Sequence, residues 1–165
     1  MNARQENLHH LFYPRQTVMV SSHLDGKDNA MVLDWTMPAS FDPFMVAIAV
    51  GKTRHSFEAI SKSGEFVLSV MPLSLKDKVL YFGTHSGKCE DKFAITKLAK
   101  DRAWKVKAPL VRDAIANFEC KVVSHADAGD HVVFVGEVLE AHVDKAALEK
   151  EKKMYNKGDR EFVGL

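Results

Sequence analysis

Two short stretches of the sequence carry groups of the kind that bind phosphate. Arg54 and Ser56 follow an apolar run, where a strand is predicted to lead into a helix. The first amides of a helix have no intrahelical partner and carry the positive end of its dipole, so a cation and a hydroxyl there suit an anion. The segment 83–88, GTHSGK, adds glycines, hydroxyls and a lysine that could wrap a phosphate. The simpler alternatives are a capping serine with a solvated arginine, and a polar connecting loop.

A third stretch offers groups that could wall a flat aromatic ring. Trp35, Met37 and Phe41 are large and apolar, and residues 39–40 could present backbone N–H groups to the polar edge of such a ring. Core packing or a subunit interface would use the same side chains, so both alternatives stay open.

A histidine follows a predicted turn at the start of a long strand. The tripeptide is Gly129-Asp130-His131. His131 could lie over a bound group as a polar contact or help to hold a second substrate. The alternative is an ordinary turn followed by a strand histidine.

Several kinds of chemistry have no motif in the sequence. There is no GxGxxG after a strand, no GxxxxGK[ST] and no GxSxG. The histidines form neither HxH nor HExxH, and Cys89 and Cys120 form no CxxC pair. We therefore predict no metal site, no P-loop and no serine nucleophile.

Length and composition predict an ordinary globular protein. The chain has 165 residues, 46% hydrophobic and 27% charged, with a net charge of +1, which predicts one domain over residues 1–165 and gives no reason to expect a nucleic-acid partner. The first 16 residues lack an apolar signal core, and no stretch approaches the roughly 18–20 apolar residues of a membrane helix. With only two cysteines, a reducing cytoplasm is the expected location.

The hydrophobic pattern is mostly that of strands. The predicted strands cover residues 16–23, 30–33, 44–50, 65–71, 118–123 and 131–143. Asp25-Gly26 predicts a hairpin turn, Gly136 a bulge or a close backbone approach, and the prolines that bound 38–43 a loop.

Three short helices are predicted between and after these strands, and Asp91-Lys92-Phe93 predicts the start of a further short turn or helix. The first covers 55–62, with Ser56 or Thr53 as its cap. The second runs to about residue 82 from a capping box of Ser74 and Asp77, and the third covers 146–153. The fold class is therefore mainly β, a barrel-like domain with a few short helices.

The order and spacing of these segments resemble one family, the flavin reductase-like FMN-binding split barrels, including its flavoredoxin and ferric-reductase branch. The resemblance covers roughly residues 13–143. Its marks are Pro14, Asn29, Trp35, Ser40-Phe41-Asp42-Pro43, Thr53-Arg54-His55-Ser56, Gly64-Glu65-Phe66-Val67, Gly83, Ser86-Gly87-Lys88, Asp91-Lys92-Phe93 and Gly129-Asp130-His131.

The resemblance implies a Greek-key split β-barrel and a homodimer with FMN near the subunit interface. It implies electron transfer from NAD(P)H through FMN to free flavin, a ferric chelate, another small molecule or a partner redox protein. The alternatives are a non-enzymatic FMN-binding electron carrier and a β-barrel with no cofactor.

The resemblance also implies roles for single residues. Asn29, Trp35 and Ser40 would lie at or near the ring, and His131 would be the catalytic residue on its reactive side. Arg54, Ser56, Ser86 and Lys88 would serve the phosphate and ribityl chain. The complete set of cofactor-binding residues is Asn29, Trp35, Ser40, Phe41, Arg54, His55, Ser56, Ser86, Gly87 and Lys88.

Overall fold

The computed structural model describes residues 5–165, and the surroundings of side chains from residue 8 onward. The strands are β1 (Arg15–Gln16), β2 (Val18–Leu24), β3 (Lys27–Leu33), β4 (Thr36–Phe41), β5 (Phe44–Gly51), β6 (Glu65–Val70), β7 (Lys100–Asp101), β8 (Leu110–Val111), β9 (Ala116–Ala128), β10 (His131–Val143), β11 (Met154–Asn156) and β12 (Phe162–Gly164). The helices are α1 (His55–Ser63), α2 (Lys76–Thr84), α3 (Lys92–Thr96) and α4 (Lys145–Lys150), with 3-10 turns at Gln5–Phe12 and Leu73–Leu75.

Seven antiparallel strands form the main sheet, in the order β3-β2-β6-β9-β10-β5-β4. Inward side chains from β2, β5, β6, β9 and β10 meet in a single apolar core, which requires the sheet to curl around it. The chain passes from β5 to β6 through α1, crossing β9 and β10, which is the long connection of a Greek key. The predicted fold class, a mainly β barrel with few short helices, is confirmed.

A second apolar core lies on the outer side of β2 and β3. Met19 and Ala30 face α2 and α3, which contribute Val79, Phe82 and Phe93. This packing fixes the loop between α2 and α3 against the start of β3.

The predicted hairpin between β2 and β3 is confirmed. Asp25 and Gly26 have φ values of 50° and 77°, as the two central residues of a type I′ turn require. The resulting register pairs Ser22 with Asn29. The turn therefore fixes which side of the sheet the Asn29 side chain faces.

The prediction that residues 38–43 form a loop was wrong. Residues 36–41 form β4, whose Pro38 pairs with Val46, and only the turn at 42–43 interrupts the hairpin to β5. A proline is tolerated because β4 is the last strand of the sheet, where one side needs no ladder amide.

Two predicted helix caps were also wrong. The N-cap residue of α1 is Arg54, without a side-chain hydrogen bond, and Ser56 lies inside the helix. The N-cap of α2 is Leu75, and Ser74 instead donates to Glu151 Oε2 at 3.0 Å. The Ser74 hydroxyl thus donates to a carboxylate that is close in space, and Ser74 is not the cap of α2.

The third predicted helix begins one residue earlier and ends three residues earlier than expected. It is α4, Lys145–Lys150, and the Asp144 carboxylate caps it by accepting the Ala147 amide.

The prediction of a close approach at Gly136 is confirmed. The β9–β10 register shifts between Val135 and Gly136. A Cβ atom at Gly136 would lie 2.6 Å from Phe66 Cζ, so the barrel core fills the space that a side chain would need.

Candidate functional site

A pocket of about 200 Å³ lies where the start of β3, the β5–α1 junction and the α2–α3 loop meet. Six of the residues named from the sequence line it: Asn29, Arg54, His55, Ser56, Ser86 and Gly87. They come from three segments distant in sequence, and the two cores of the fold bring them together.

The pocket presents hydrogen-bond donors that the described chain leaves unused. Within residues 5–165, no partner is recorded for the amides of His55 and Ser56 in the first turn of α1, or for those of Ser86 and Gly87 in the loop. The His55 Nδ1 atom is buried and likewise has no partner there. Four amides and a helix N-terminus around one cavity are suited to an oxyanion such as a phosphate.

Asn29 joins the two sides of this pocket. Its Nδ2 donates to Ser56 Oγ at 2.9 Å. A Cβ atom added to Gly87 would lie only 2.1 Å from Asn29 Oδ1, so the loop backbone rests directly on the amide. Asn29 thus lies between the first turn of α1 and the α2–α3 loop.

The lining residues include cations and no carboxylate. Lys92, in the first turn of α3, is 4% exposed, and its Nζ donates to the carbonyls of Phe82 and His85 at 3.1 Å. Burial lowers the pKa of Lys92 to about 8, with Glu90 raising it and Arg54 lowering it further. At neutral pH the ammonium is protonated, and it faces the same cavity as Arg54.

Lys92 is a site residue that sequence reasoning did not assign to the pocket, and Lys88 was named in its place. Lys88 is exposed on the loop and does not line the cavity. The available signal was Asp91, which caps α3 by accepting the Ala94 amide. A lysine between a helix-capping residue and a core phenylalanine stands at the start of a helix that packs against the core, so this lysine can be buried too.

A second cleft of about 470 Å³ adjoins the pocket. The two share Val32, Arg54 and Gly83. Most of the lining of this cleft is polar, including Asp34, Asp159 and Arg160, and Val32, Leu80 and Phe162 provide its apolar surface.

Asp34, one of the carboxylates that line this cleft, has hydrogen-bond partners within the protein. Asp34 accepts hydrogen bonds from Thr17 Oγ1 and Asn156 Nδ2, both at 2.7 Å. Apolar walls with fixed polar groups at the edge are what a planar heterocycle requires.

Trp35 and His131 form a stacked pair beside this region. Their ring centroids are 4.6 Å apart at an interplanar angle of 26°. His131 Nδ1 lies 2.7 Å from Asp130 Oδ1, and this hydrogen bond holds the pKa of the Asp130 carboxyl below its usual value. A Cβ at Gly51 would be 3.5 Å from His131 Nε2 and 3.6 Å from Arg54 Cγ, so His131 is a neighbour of Arg54.

Ser40 and Phe41 lie at the other end of the β4–β5 hairpin. Phe41 pairs with Phe44 and His131 with Gly51, at opposite ends of β5. This strand spans 8 residues, so those ends are about 23 Å apart at roughly 3.3 Å per residue. The structure therefore does not bring Ser40 and Phe41 to the pocket of their own chain.

The described part of the chain contains no candidate for a membrane helix or a metal site. Within residues 5–165, no helix is long and apolar enough to cross a membrane. In the same range, no group of three or more His, Cys, Asp or Glu residues is arranged to hold a metal ion.

Comparison with known proteins gives a family match over most of the chain. The family model described as "Flavin reductase like domain" matches residues 9–163. An uncharacterized protein of Pyrococcus abyssi is 41% identical over 129 residues, 78% of this chain and 74% of that protein. The ferric-chelate reductase (NAD(P)H) of Archaeoglobus fulgidus is 28% identical over 130 residues, 78% of this chain and 76% of that protein.

Solved structures share the fold. The flavoredoxin of Desulfovibrio vulgaris (Miyazaki F) superposes with a TM-score of 0.88 at 24% identity, covering 100% of this chain and 91% of the other. An FMN-binding protein from Thermus thermophilus, solved with bound p-hydroxybenzaldehyde, gives a TM-score of 0.87 at 23% identity, covering 94% of this chain and 88% of the other.

Proposed function

The chain belongs to the flavin reductase-like family, and from that membership we propose that it binds FMN and passes electrons from NAD(P)H to an acceptor. Free flavin and a ferric chelate are the acceptors we favour. One relative is named a ferric-chelate reductase (NAD(P)H), and one structural neighbour is described as FMN-binding.

The observation that carries this proposal is the cluster of unused donors around the first pocket. Among the described residues, four amides without a partner surround a cavity whose lining has no carboxylate, together with the Ser56 hydroxyl, Arg54 and the buried Lys92. A phosphate monoester satisfies all of these groups at once. The residues present therefore fit the phosphate end of FMN.

The adjoining cleft fits the remainder of the cofactor. Val32, Leu80 and Phe162 offer apolar contacts to a flat ring within a largely polar lining, and the shared border at Arg54 and Gly83 joins this cleft to the phosphate pocket. When bound, the flavin supplies the redox chemistry, and the protein supplies orientation and charge. We propose His131, held by Asp130 and stacked on Trp35, as the polar group beside the ring.

We further propose that the protein is a homodimer. Apolar side chains around β4 are unusually open to solvent: Phe41 is 98% exposed and Met37 60%. Exposed apolar surface of this kind is typical of an interface. We also propose that residues 1–165 make up one flavin-binding domain located in the cytoplasm.

An absorption spectrum after incubation with FMN tests the cofactor assignment. We expect oxidised-flavin bands near roughly 450 nm that stay with the protein through desalting. Arg54→Ala should weaken FMN binding about tenfold, the loss expected for one charge-assisted contact.

The matched control is Arg112→Ala, whose arginine pairs with Asp101 on the surface. It should leave FMN affinity unchanged. A protein that stays colourless contradicts FMN binding, and unchanged affinity in Arg54→Ala contradicts the phosphate assignment.

A turnover assay tests the reductase assignment separately. NADH or NADPH oxidation is followed at excess free FMN and, in a second series, with a ferric chelate. We expect sustained turnover with one of these acceptors. Tight FMN binding without turnover would contradict the reductase and support a non-enzymatic electron carrier.

A further inference from the structure

We propose that Asn29 is a positioning residue that keeps the Ser56 hydroxyl turned toward the cofactor as a hydrogen-bond donor. It thereby makes the site select a phosphate-bearing flavin over one without phosphate. This inference rests on the proposed function, because the anion in the pocket is taken to be the FMN phosphate. Asn29 is here assigned to the support of the phosphate site.

Both side chains of this pair are buried. Asn29 is 8% exposed and Ser56 2% exposed. Two polar side chains removed from water must satisfy each other or a ligand. Their hydrogen bond is therefore a fixed feature of the pocket wall.

The direction of this hydrogen bond determines what Ser56 can still do. Asn29 Nδ2 is the donor and Ser56 Oγ the acceptor. A serine hydroxyl has a single hydrogen and can accept with its lone pairs. Since Ser56 accepts from Asn29, its own hydrogen is left over, and no acceptor for it is recorded within residues 5–165.

The loop at Gly87 lies on the oxygen side of this amide. A Cβ atom added to Gly87 would lie 2.1 Å from Asn29 Oδ1 and 3.3 Å from Asn29 Nδ2. With the oxygen nearer the loop, the NH₂ group faces Ser56. The loop that contributes amides to the pocket thus also borders the Asn29 side chain.

A second buried serine–asparagine pair in the same barrel runs in the opposite direction. Ser69 Oγ donates to Asn117 Oδ1 at 2.7 Å, and Asn117 also binds both backbone groups of Val111. The hydroxyl hydrogen of Ser69 is consumed within the protein. At Ser56 the same two residue types are arranged so that the hydrogen remains available at the pocket.

The consequence is selectivity for the phosphate. A hydroxyl donor fixed at the phosphate position makes a charge-assisted hydrogen bond to FMN, whereas riboflavin ends in a neutral hydroxyl group, which is a weaker acceptor. We therefore expect Asn29 to affect the ratio of the two affinities.

The experiment is a double-mutant cycle on flavin binding. The Kd values for FMN and riboflavin are measured by flavin fluorescence for wild type, Asn29→Ala, Ser56→Ala and the double variant. We expect each single change to weaken FMN binding about tenfold and riboflavin binding less than about twofold. In the Ser56→Ala background, Asn29→Ala should cost little more, because the group it positions is already gone.

Two further variants sharpen the test. Asn29→Asp has no N–H group, so its carboxylate takes the Ser56 hydrogen and adds a negative charge; FMN affinity should fall further than in Asn29→Ala. Ser63→Ala removes a hydroxyl from the other end of α1 and should leave both Kd values unchanged. Thermal unfolding of each variant confirms that the fold is retained.

The outcomes separate the inference from the proposed function. Additive losses in the cycle, or equal losses for FMN and riboflavin, would overturn the role of Asn29. A wild-type protein that binds neither flavin would overturn the proposed function itself.

Discussion

Gly87 is a residue at which the α2–α3 loop closely approaches β3. Its Cβ would lie 2.1 Å from Asn29 Oδ1 and 2.6 Å from Asn29 Cγ, far inside normal contact. Gly87→Ala must therefore displace either the loop or the Asn29 side chain. We expect FMN affinity, measured by fluorescence titration, to fall at least about tenfold, since either displacement disturbs the donors around the anion.

The control for this prediction removes the side chain of Asn29, which the added Cβ atom would contact. In an Asn29→Ala background the obstruction is absent, so Gly87→Ala should add little further loss. A full additional loss there would show that the glycine matters for its backbone freedom and not for the close approach.

Lys92 should make the proposed binding of FMN depend on pH above neutrality. Burial brings the pKa of its ammonium down to about 8. As pH rises through this value the positive charge is lost, and an anion in the pocket loses a partner. If only the protonated form binds, the Kd for FMN should rise about tenfold between pH 7 and pH 9.

Two comparisons isolate the lysine in this titration. Riboflavin, which lacks the phosphate, should show a flat profile over the same range. Lys92→Met should bind FMN more weakly at pH 7 and lose the step. A step that persists in Lys92→Met would assign it to another group.

At this scale the sequence was informative about residue type and less so about position. Arg54 and Ser56 were identified because a cation and a hydroxyl at a helix start suit an anion. Lys92 was not assigned to the pocket, since a buried lysine cannot be told from a surface one until α3 is seen packed on Phe82.

At the scale of elements, a buried carboxylate holds the loop between β7 and β8. Glu119 on β9 is 0% exposed. It accepts the amides of Trp104, Lys105 and Val106 at 2.6–3.1 Å, and lies 2.6 Å from His142 Nε2. Burial acts to raise the pKa of Glu119, but these hydrogen bonds outweigh it and leave the pKa below its ordinary value.

Removal of this charge should destabilise the fold. For Glu119→Gln we expect a loss of about 2–4 kcal/mol in the free energy of unfolding at pH 7, because buried amides lose a charged acceptor. Urea unfolding measures the loss. A matched change at the exposed Glu149, Glu149→Gln, should have no measurable effect.

The pH dependence of this contribution has a definite sign. Since the folded pKa of Glu119 is lower than the unfolded one, the stabilisation is present above the unfolded pKa. It is lost as pH falls through the folded pKa. Glu119→Gln should therefore show less acid destabilisation than the wild type; an identical slope would contradict a charged Glu119.

Local sequence rules predicted elements well and their ends less well. The Asp25-Gly26 hairpin follows from two φ values that few other residue pairs adopt. The caps predicted at Ser56 and Ser74 were wrong, since the N-cap residues are Arg54 and Leu75. The partners of the two hydroxyls are distant in sequence, Asn29 and Glu151 respectively.

At the scale of the whole molecule, the exposed apolar surface beside β4 predicts self-association. Phe41 is 98% exposed, and Met37, Phe44, Val143 and Leu148 line one cavity of about 370 Å³ at this face. Phe41→Glu would place a charge in the proposed interface. We expect light scattering to report a dimer for the wild type and a monomer for the variant at micromolar concentration.

The control is an exposed apolar residue on another surface. Ile95 on α3 is 51% exposed, and Ile95→Glu should leave the dimer intact. A monomeric wild type would contradict the homodimer, and a dimeric Phe41→Glu would show that the partner binds elsewhere.

The sequence by itself determined the mainly β class, the strands around the hairpin at 25–26, and a cation and hydroxyl at the start of α1. These features depend on neighbouring residues, because backbone preference, side-chain alternation and helix-end chemistry act over a few positions.

Tertiary structure alone decided which of those groups share a pocket. Asn29, predicted to lie near a ring, lies beside Gly87 and Ser56, because the hairpin register and the second core bring β3, α1 and the loop together. The same packing buries Lys92 beside the cavity and leaves Lys88 outside. Distances between segments far apart in sequence depend on how the cores pack, and the local pattern of residues does not contain that information.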